Sequence, residues 1–270
     1  MLSSEDQRDL YESAMAQEIS RDALLHVGRD TFFAGVLDSV GLHSHAVPVY
    51  LAGLYGAFRL RIADGGWVTC RTAVVPAGIA HELDAGQMPL AVLYPEAGRA
   101  DLSGLATLVS QRVDGCGVIA GQAGETGLFR ELYESGHSHG WTGEALDSLF
   151  ASSVVSRRQS PLDTRLANVI GALRRTPEVA LSVECVAATQ GLSSSRLMHL
   201  FAEQMGIPYR RYRLWCRLQS SMRNVAAGQN LTTAAIAAGF SDSQHFSREF
   251  RRSLGVPASG LLRRVGRISL

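Results

Sequence analysis

Ala235-Ile236-Ala237-Ala238-Gly239-Phe240-Ser241-Asp242-Ser243-Gln244-His245-Phe246-Ser247-Arg248-Glu249-Phe250-Arg251-Arg252, closed by Gly255-Val256-Pro257, is the stretch that decides the fold. Its punctuation occurs twice. Ala187, Gly191, Leu197, Phe201, Gly206 and Pro208 match Ala235, Gly239, Phe246, Phe250, Gly255 and Pro257, apart from one extra residue between the glycine and the next apolar anchor. A small Ala lets two helices approach, and a Gly four residues later turns the chain between them, which is what a helix-turn-helix requires. Two such units in tandem predict a chain that reads two adjacent stretches of major groove.

Charge supports this reading. The net formal charge of +1 conceals a division: residues 1–156 carry 9 Arg against 19 acids, whereas residues 157–270 carry 17 Arg against 6 acids. A basic half is the electrostatic footprint of phosphate contact, and an acidic half stays off nucleic acid. Every basic residue is Arg and none is Lys. We attribute this to base composition, although Arg also suits bidentate contact with guanine and phosphate. With 270 residues, two domains are expected. The polar, acidic N-terminus lacks the pattern of a signal peptide, and no apolar run approaches about 18 residues, so a cytoplasmic protein without a membrane span is expected. Cys70, Cys116, Cys185 and Cys216 are widely spaced without a CxxC pair, which points to buried thiols.

Outward from the repeat, the basic half reads as helices: a stripe of Leu162, Leu166, Val169, Ile170 and Leu173 ended by Pro177, a short helix over 183–189, and a second helix capped by Ser193. A long connector then runs from Pro208 to Gly228 with Trp215, Leu218, Met222 and Val225 as its stripe. Upstream, Phe58, Leu60 and Ile62 alternate with Arg59 and Arg61, the period of a half-buried strand, before an Asp64-Gly65 turn. Further strands are expected over 67–75 and 90–94. Residues 3–26 read as a helix, residues 101–151 as two or three helices interrupted by the glycine-rich GCGVIAGQAGETG, and 152–160 as a polar linker before Pro161.

The expected fold is therefore α+β and multidomain: an N-terminal helical arm (1–30), an antiparallel β-barrel (31–97), a helical dimerisation segment (98–151), a linker (152–161) and an all-α domain with two helix-turn-helix units (162–270). In the first reading helix the apolar positions leave Ser194, Ser195, Arg196, Met198, His199 and Gln204 outward. In the second they leave Ser243, Gln244, Ser247 and Arg248 outward, with Arg251 and Arg252 behind. Gln pairs with adenine, Arg with guanine, and Met or Ser touches a thymine methyl, so both helices carry base-reading chemistry.

Residues 163–265 resemble the DNA-binding domain of AraC/XylS-type transcriptional regulators, most closely over Ala235–Arg252 and Gly255-Val256-Pro257. The resemblance implies a seven-helix domain acting on promoter DNA, with Ser195, Met198, His199, Ser243, Gln244, Ser247 and Arg248 where the family contacts DNA. A second resemblance lies in Gly41-Leu42-His43-Ser44-His45 and Pro76-Ala77-Gly78-Ile79-Ala80-His81, which look like the two cupin motifs and imply a cupin-like sensor barrel. His43, His45 and His81 would then form a face suited to a divalent Zn, Ni, Fe or Mn ion. Where cupin enzymes place a Glu, this chain has Val49 and Tyr50, which argues against catalysis. His137-Ser138-His139 reads as a surface loop. Tyr50, Phe58, Trp67 and Tyr94 are the candidate lining of an apolar effector pocket, with core filling as the alternative.

The expectation is a non-enzymatic, ligand-controlled, dimeric regulator that binds double-stranded DNA through two heads and a small-molecule effector through its barrel, meeting RNA polymerase if it activates. The rival from another class is a metal-dependent cupin enzyme fused to a DNA-binding tail.

Overall fold

Strand β4 (Val49–Gly53) shows how the N-terminal domain is built: Val49 and Leu51 enter one hydrophobic cluster, while Tyr50 and Ala52 enter another. Alternate residues of a strand point to opposite faces, so a sheet whose strands are buried throughout must be covered on both sides. The computed structural model describes residues 22–37, 39–113, 118–135, 141–152, 162–179 and 182–270. Among these, the central sheet takes the order β10 (Val109–Val113), β11 (Ile119–Gly124), β7 (Thr72–Val75), β4, β9 (Pro89–Tyr94), β2 (Thr31–Val36), β1 (Ala23–Val27), β12 (Val265–Ser269). A smaller sheet orders β3 (Val40–His43), β8 (His81–Asp84), β5 (Phe58–Ile62) and β6 (Val68–Cys70).

One face of the central sheet packs against the small sheet and the C-terminal helices. Val49, Leu51, Val75 and Val92 share a cluster with Phe58, Leu60 and Leu83, and the same cluster continues into Leu197, Phe201, Trp215 and Phe250. The other face is covered by α1 (Leu102–Ala106), α2 (Gly127–Glu134) and α3 (Trp141–Ala151), through Leu105, Phe129, Leu132, Tyr133, Leu146 and Phe150. The apolar stripes of the expected dimerisation segment are thus occupied by the sheet.

The C-terminal half consists of α4 (Thr164–Arg175), α5 (Val183–Thr189), α6 (Ser194–Met205), α7 (Tyr209–Ala226), α8 (Leu231–Ala237), α9 (Ser243–Leu254) and α10 (Ala258–Arg264). Its expected elements are present, with α5 over the anticipated residues and Ser193 as the cap of α6. The hairpin expected at Asp64-Gly65 joins β5 to β6, with the Gly65 amide donating to the Ile62 carbonyl at 2.8 Å.

Three expectations change. Residues 23–27, read as part of a helical arm reaching to 30, form a strand; both its faces are buried, which erases the alternation that would have marked it. Residues 1–21 of that arm lie outside the described residues, as do most of the linker and the His137-Ser138-His139 loop. The glycine-rich interruption contains β11, which pairs with β10 and β7. Its glycines mimic a loop because the strands there approach too closely for side chains: a Cβ on Gly121 would lie 2.8 Å from Val109, and one on Gly124 would lie 2.8 Å from the Thr72 hydroxyl. The barrel therefore extends well beyond 31–97 and is not purely antiparallel, since β12 joins β1 in parallel.

The two halves are sewn together. The Gln219 amide donates to the Thr31 hydroxyl at 2.9 Å, and Trp215 of α7 packs against Tyr94 with ring centroids 5.0 Å apart. Arg174 of α4 pairs with Glu96, and Ser269 of β12 hydrogen-bonds His26 at 3.0 Å. With one core shared by both halves, calorimetry should record a single cooperative unfolding transition, and Trp215→Ala should lower stability by about 3–5 kcal/mol; two well-separated transitions in the parent protein would contradict the shared core.

Candidate nucleic-acid interface and histidine cluster

The two helix-turn-helix units repeat atom for atom at the turn. In the first, the Leu192 amide donates to the Ala187 carbonyl at 3.0 Å; in the second, the Phe240 amide donates to the Ala235 carbonyl at 3.1 Å. Gly191 and Gly239 hold φ of +63° and +87°, where a side chain would be strained. Ser193 caps α6 by accepting from the Arg196 amide at 3.2 Å, and Asp242 caps α9 by accepting from the His245 amide at 2.7 Å. Leu197, Leu200 and Phe201 anchor the first reading helix in the core, and Phe246, Phe250 and Leu254 anchor the second.

These anchors fix which side chains face outward. Ser195, Arg196, Met198 and His199 on α6 are exposed and Ser194 is half-buried; on α9, Gln244, Ser247 and Arg248 are exposed and Ser243 is half-buried. Met198 remains 47% exposed, a large apolar side chain spent on solvent by a helix that buries three others. Gln204 is diverted: its side-chain oxygen accepts from the Asp163 amide at 2.9 Å. The connector α7 has 18 residues, or roughly 27 Å at 1.5 Å per residue, which suits heads that enter successive major-groove faces roughly 34 Å apart.

A basic groove lies between the connector and the second head. Arg210, Arg213 and Arg217 of α7 and Arg252 of α9 line a cleft of about 520 Å³. Burial, and then the neighbouring Arg252, hold the Arg211 guanidinium below its usual range; burial and then Arg213 do the same to Arg217. With Glu249 as the one carboxylate among the lining residues, cations gathered at this density make the cleft suited to an anion. These arginines escaped notice in the sequence because i, i+3 and i+7 spacing on a helix reads as a solvated face until α9 closes the other wall.

The three candidate metal ligands come together. His43 ends β3 opposite His81, the first residue of β8, and His45 follows two residues later. All three are buried, and a ring nitrogen from each lies within 4.8 Å of the others. Each Nδ1 meets a backbone carbonyl: His43 that of Gly41 at 2.7 Å, His45 that of Ser253 at 2.9 Å, and His81 that of Ile79 at 3.0 Å. A carbonyl only accepts, so every Nδ1 carries the proton and donates. Burial holds all three rings neutral, lowering His43 to about 3 and His45 well below its usual range, and lowering His81 too; adjacent histidines reinforce this for His43 and His45.

A neutral ring protonated at Nδ1 has a bare lone pair at Nε2. The Nε2 atoms of His43 and His45 face each other at 3.2 Å with no proton between them, and the Nε2 of His81 is buried without a hydrogen-bond partner. Three bare lone pairs in one buried cluster suit a cation. Two nitrogens bound to tetrahedral Zn at about 2.05 Å stand about 3.3 Å apart, close to the 3.2 Å between His43 and His45, while the three-histidine set spans up to 4.8 Å; carbonyls behind each ring are the supports that metal-binding histidines use. Val49 and Tyr50 supply no fourth ligand: Val49 is in the core, and Tyr50 lies on the opposite face of the sheet, donating to the Glu125 carbonyl at 2.8 Å.

The four aromatic residues offered as a pocket lining do not converge. Tyr50 packs with Phe129 on the helical side of the sheet, Phe58 and Tyr94 lie on the opposite side, and Trp67 is exposed under the guanidinium groups of Arg59 and Arg61. Strand alternation separates them, and core filling accounts for the buried three. Tyr94 instead borders a narrow apolar cleft between the two halves, with Leu25, Phe33, Met222 and Leu254.

Among known proteins, a family described as a helix-turn-helix domain matches residues 186–264. No curated protein matches the sequence. Among solved structures, apo ToxT from Vibrio cholerae strain SCE256 superposes with a TM-score of 0.61 at 12% identity, covering 88% of this chain and 98% of that one. Wild-type ToxT from the same strain, solved with an unsaturated fatty acid bound, superposes with a TM-score of 0.55 at 12% identity, covering 88% and 97%. No helix among the described residues is long and apolar enough to cross a membrane. Residues 186–264 of this chain thus belong to a helix-turn-helix domain, joined to a β-rich N-terminal domain in the same two-domain fold as ToxT.

Proposed function

We propose that the protein is a sequence-specific, effector-controlled transcription regulator that grips promoter DNA with α6 and α9. The observation that carries this reading is the duplicated turn, which presents two capped helices with exposed polar outer faces from the ends of one rigid connector. The α9 head supplies base contacts through Gln244 and Arg248, with Ser243 and Ser247 beside them. The α6 head supplies smaller contacts from Ser194, Ser195, Arg196, Met198 and His199, so the second head is the stronger reader.

Control resides in the N-terminal domain. ToxT has been solved with a fatty acid bound, and by analogy a small molecule reaching the cleft between the two halves of this chain would change how they pack, shifting the population of DNA-competent arrangements. A homodimer joined through α1–α3 would use their outer polar face, since the apolar side covers the sheet. A divalent metal, Zn, Ni, Fe or Mn, is the second ligand we assign, at His43, His45 and His81. The role is regulatory and not catalytic, because the histidines are buried beneath the DNA-binding half and Tyr50 is turned away from them. The location this implies is the cytoplasm.

Arg248→Ala should cost about 1–3 kcal/mol on a cognate duplex and relax preference at one base pair, measured by titration against a panel of single-base variants. Equal affinity of mutant and parent across the panel would remove Arg248 from the readout. Arg210→Ala in the basic groove should instead weaken binding to every duplex alike and reduce the slope of log affinity against log salt by about 1; an unchanged slope would place the groove off the phosphate path.

A further inference from the structure

We propose that a divalent transition-metal ion held by the Nε2 atoms of His43, His45 and His81 clasps the second reading helix to the N-terminal domain, so that metal occupancy and docking of that head are linked. The inference rests on the metal reading of the histidine cluster, and its argument lies in what stands behind the rings. Gly41 and Ile79, which support His43 and His81, belong to the N-terminal domain. Ser253, which supports His45, is the penultimate residue of α9.

The last carbonyls of a helix have no partner within it, and they form its negative end. His45 satisfies the Ser253 carbonyl from the other domain, at 2.9 Å. Ligation at Nε2 withdraws electron density from the ring and makes Nδ1–H a stronger donor, so the contact with α9 tightens when the cluster is filled. The end of α9 is also shaped for this seat. Gly255 terminates it with φ +74°, and a Cβ there would overlap Val40 and stand 2.7 Å from His43 Nδ1. Nearby, Arg211 of α7 donates to the Ser44 carbonyl at 2.8 Å, between the two histidines of β3 and its extension.

Linkage makes the effect reciprocal: whatever draws α9 off its seat weakens metal binding by the factor by which metal strengthens the seat. Gln219 and Arg174 hold the same interface from positions outside the cluster, through Thr31 and Glu96. Loosening them should therefore be felt at the metal.

The test uses the full chain and Zn²⁺ alone as the probe. Zn²⁺ affinity is measured by competition with a fluorescent chelator, and amide hydrogen exchange is followed at Arg251–Gly255 with and without Zn²⁺, using Leu231–Ala237 as the internal reference. The expected result is one Zn²⁺ per chain, slower exchange at Arg251–Gly255 by about 10-fold relative to the reference, and a Gln219→Ala/Arg174→Ala variant that binds Zn²⁺ about 10-fold more weakly, the size of a typical coupling between linked sites. His81→Ala should abolish the Zn²⁺ response, but the comparison of the parent with and without Zn²⁺ stands even if that variant does not fold. Stoichiometric Zn²⁺ binding with unchanged exchange at α9 and equal affinity in the double variant would overturn the clasp while leaving the metal site. Absence of saturable Zn²⁺ binding by the parent would overturn both.

Discussion

The ends of the two helix-turn-helix units are seated on the N-terminal domain, and the arrangement of the whole molecule depends on that docking. The first unit ends at Gly206-Ile207-Pro208, where Ile207 lies against Gly78 of the Pro76-Ala77-Gly78 turn. The second ends at Gly255-Val256-Pro257, where Gly255 lies against Val40, Gly41 and His43. At the second unit the glycine that stops the reading helix is itself the bare seat for β3, whereas at the first the Ile207 side chain makes the contact, against the bare backbone of Gly78. Because left-handed glycines end both α6 and α9, neither seat accepts a larger residue without backbone strain.

That docking leaves the reading faces open. The anchors of α6 and α9 point into a core continuous with the barrel, while Arg196, Met198, Gln244 and Arg248 remain exposed. Control by this geometry would act on the angle and spacing of the heads and not by covering them. The connector α7 is held along much of its length, by Arg211 near its start, Trp215 and Gln219 in its middle and Met222 toward its end. A rearrangement of the barrel would thus reach both heads through one stiff element, which is the physical requirement for coupling between distant sites.

The histidine cluster shows how hydrogen-bond direction fixes chemistry. Three carbonyl acceptors set three tautomers, and the tautomers leave three Nε2 lone pairs free within one buried cluster. Two of those carbonyls come from residues two positions away in sequence, while the third comes from a residue 208 positions away. The motif spacing of the histidines was readable, but the link from one of them to the reading helix was not.

Local signals determined much of this protein from its residues alone. The paired Ala/Gly turns, the cap at Ser193, the glycine stops, the division of charge and the alternation in Phe58–Ile62 are each written within one helix or strand and its next neighbour, at distances where propensity and sterics dominate. Tertiary structure decided the rest. The strand at Ala23–Val27 is invisible because both its faces are buried and its neighbour β12 lies some 240 residues on. The glycines of β11 look like a loop until two adjacent strands crowd them. The four aromatic residues look like one pocket until the pleat sends them to different faces, and the arginines of α7 look solvated until α9 lies across from them. In each case the deciding contact joins residues far apart in the chain, and no local preference encodes a partner that only the folded core brings near.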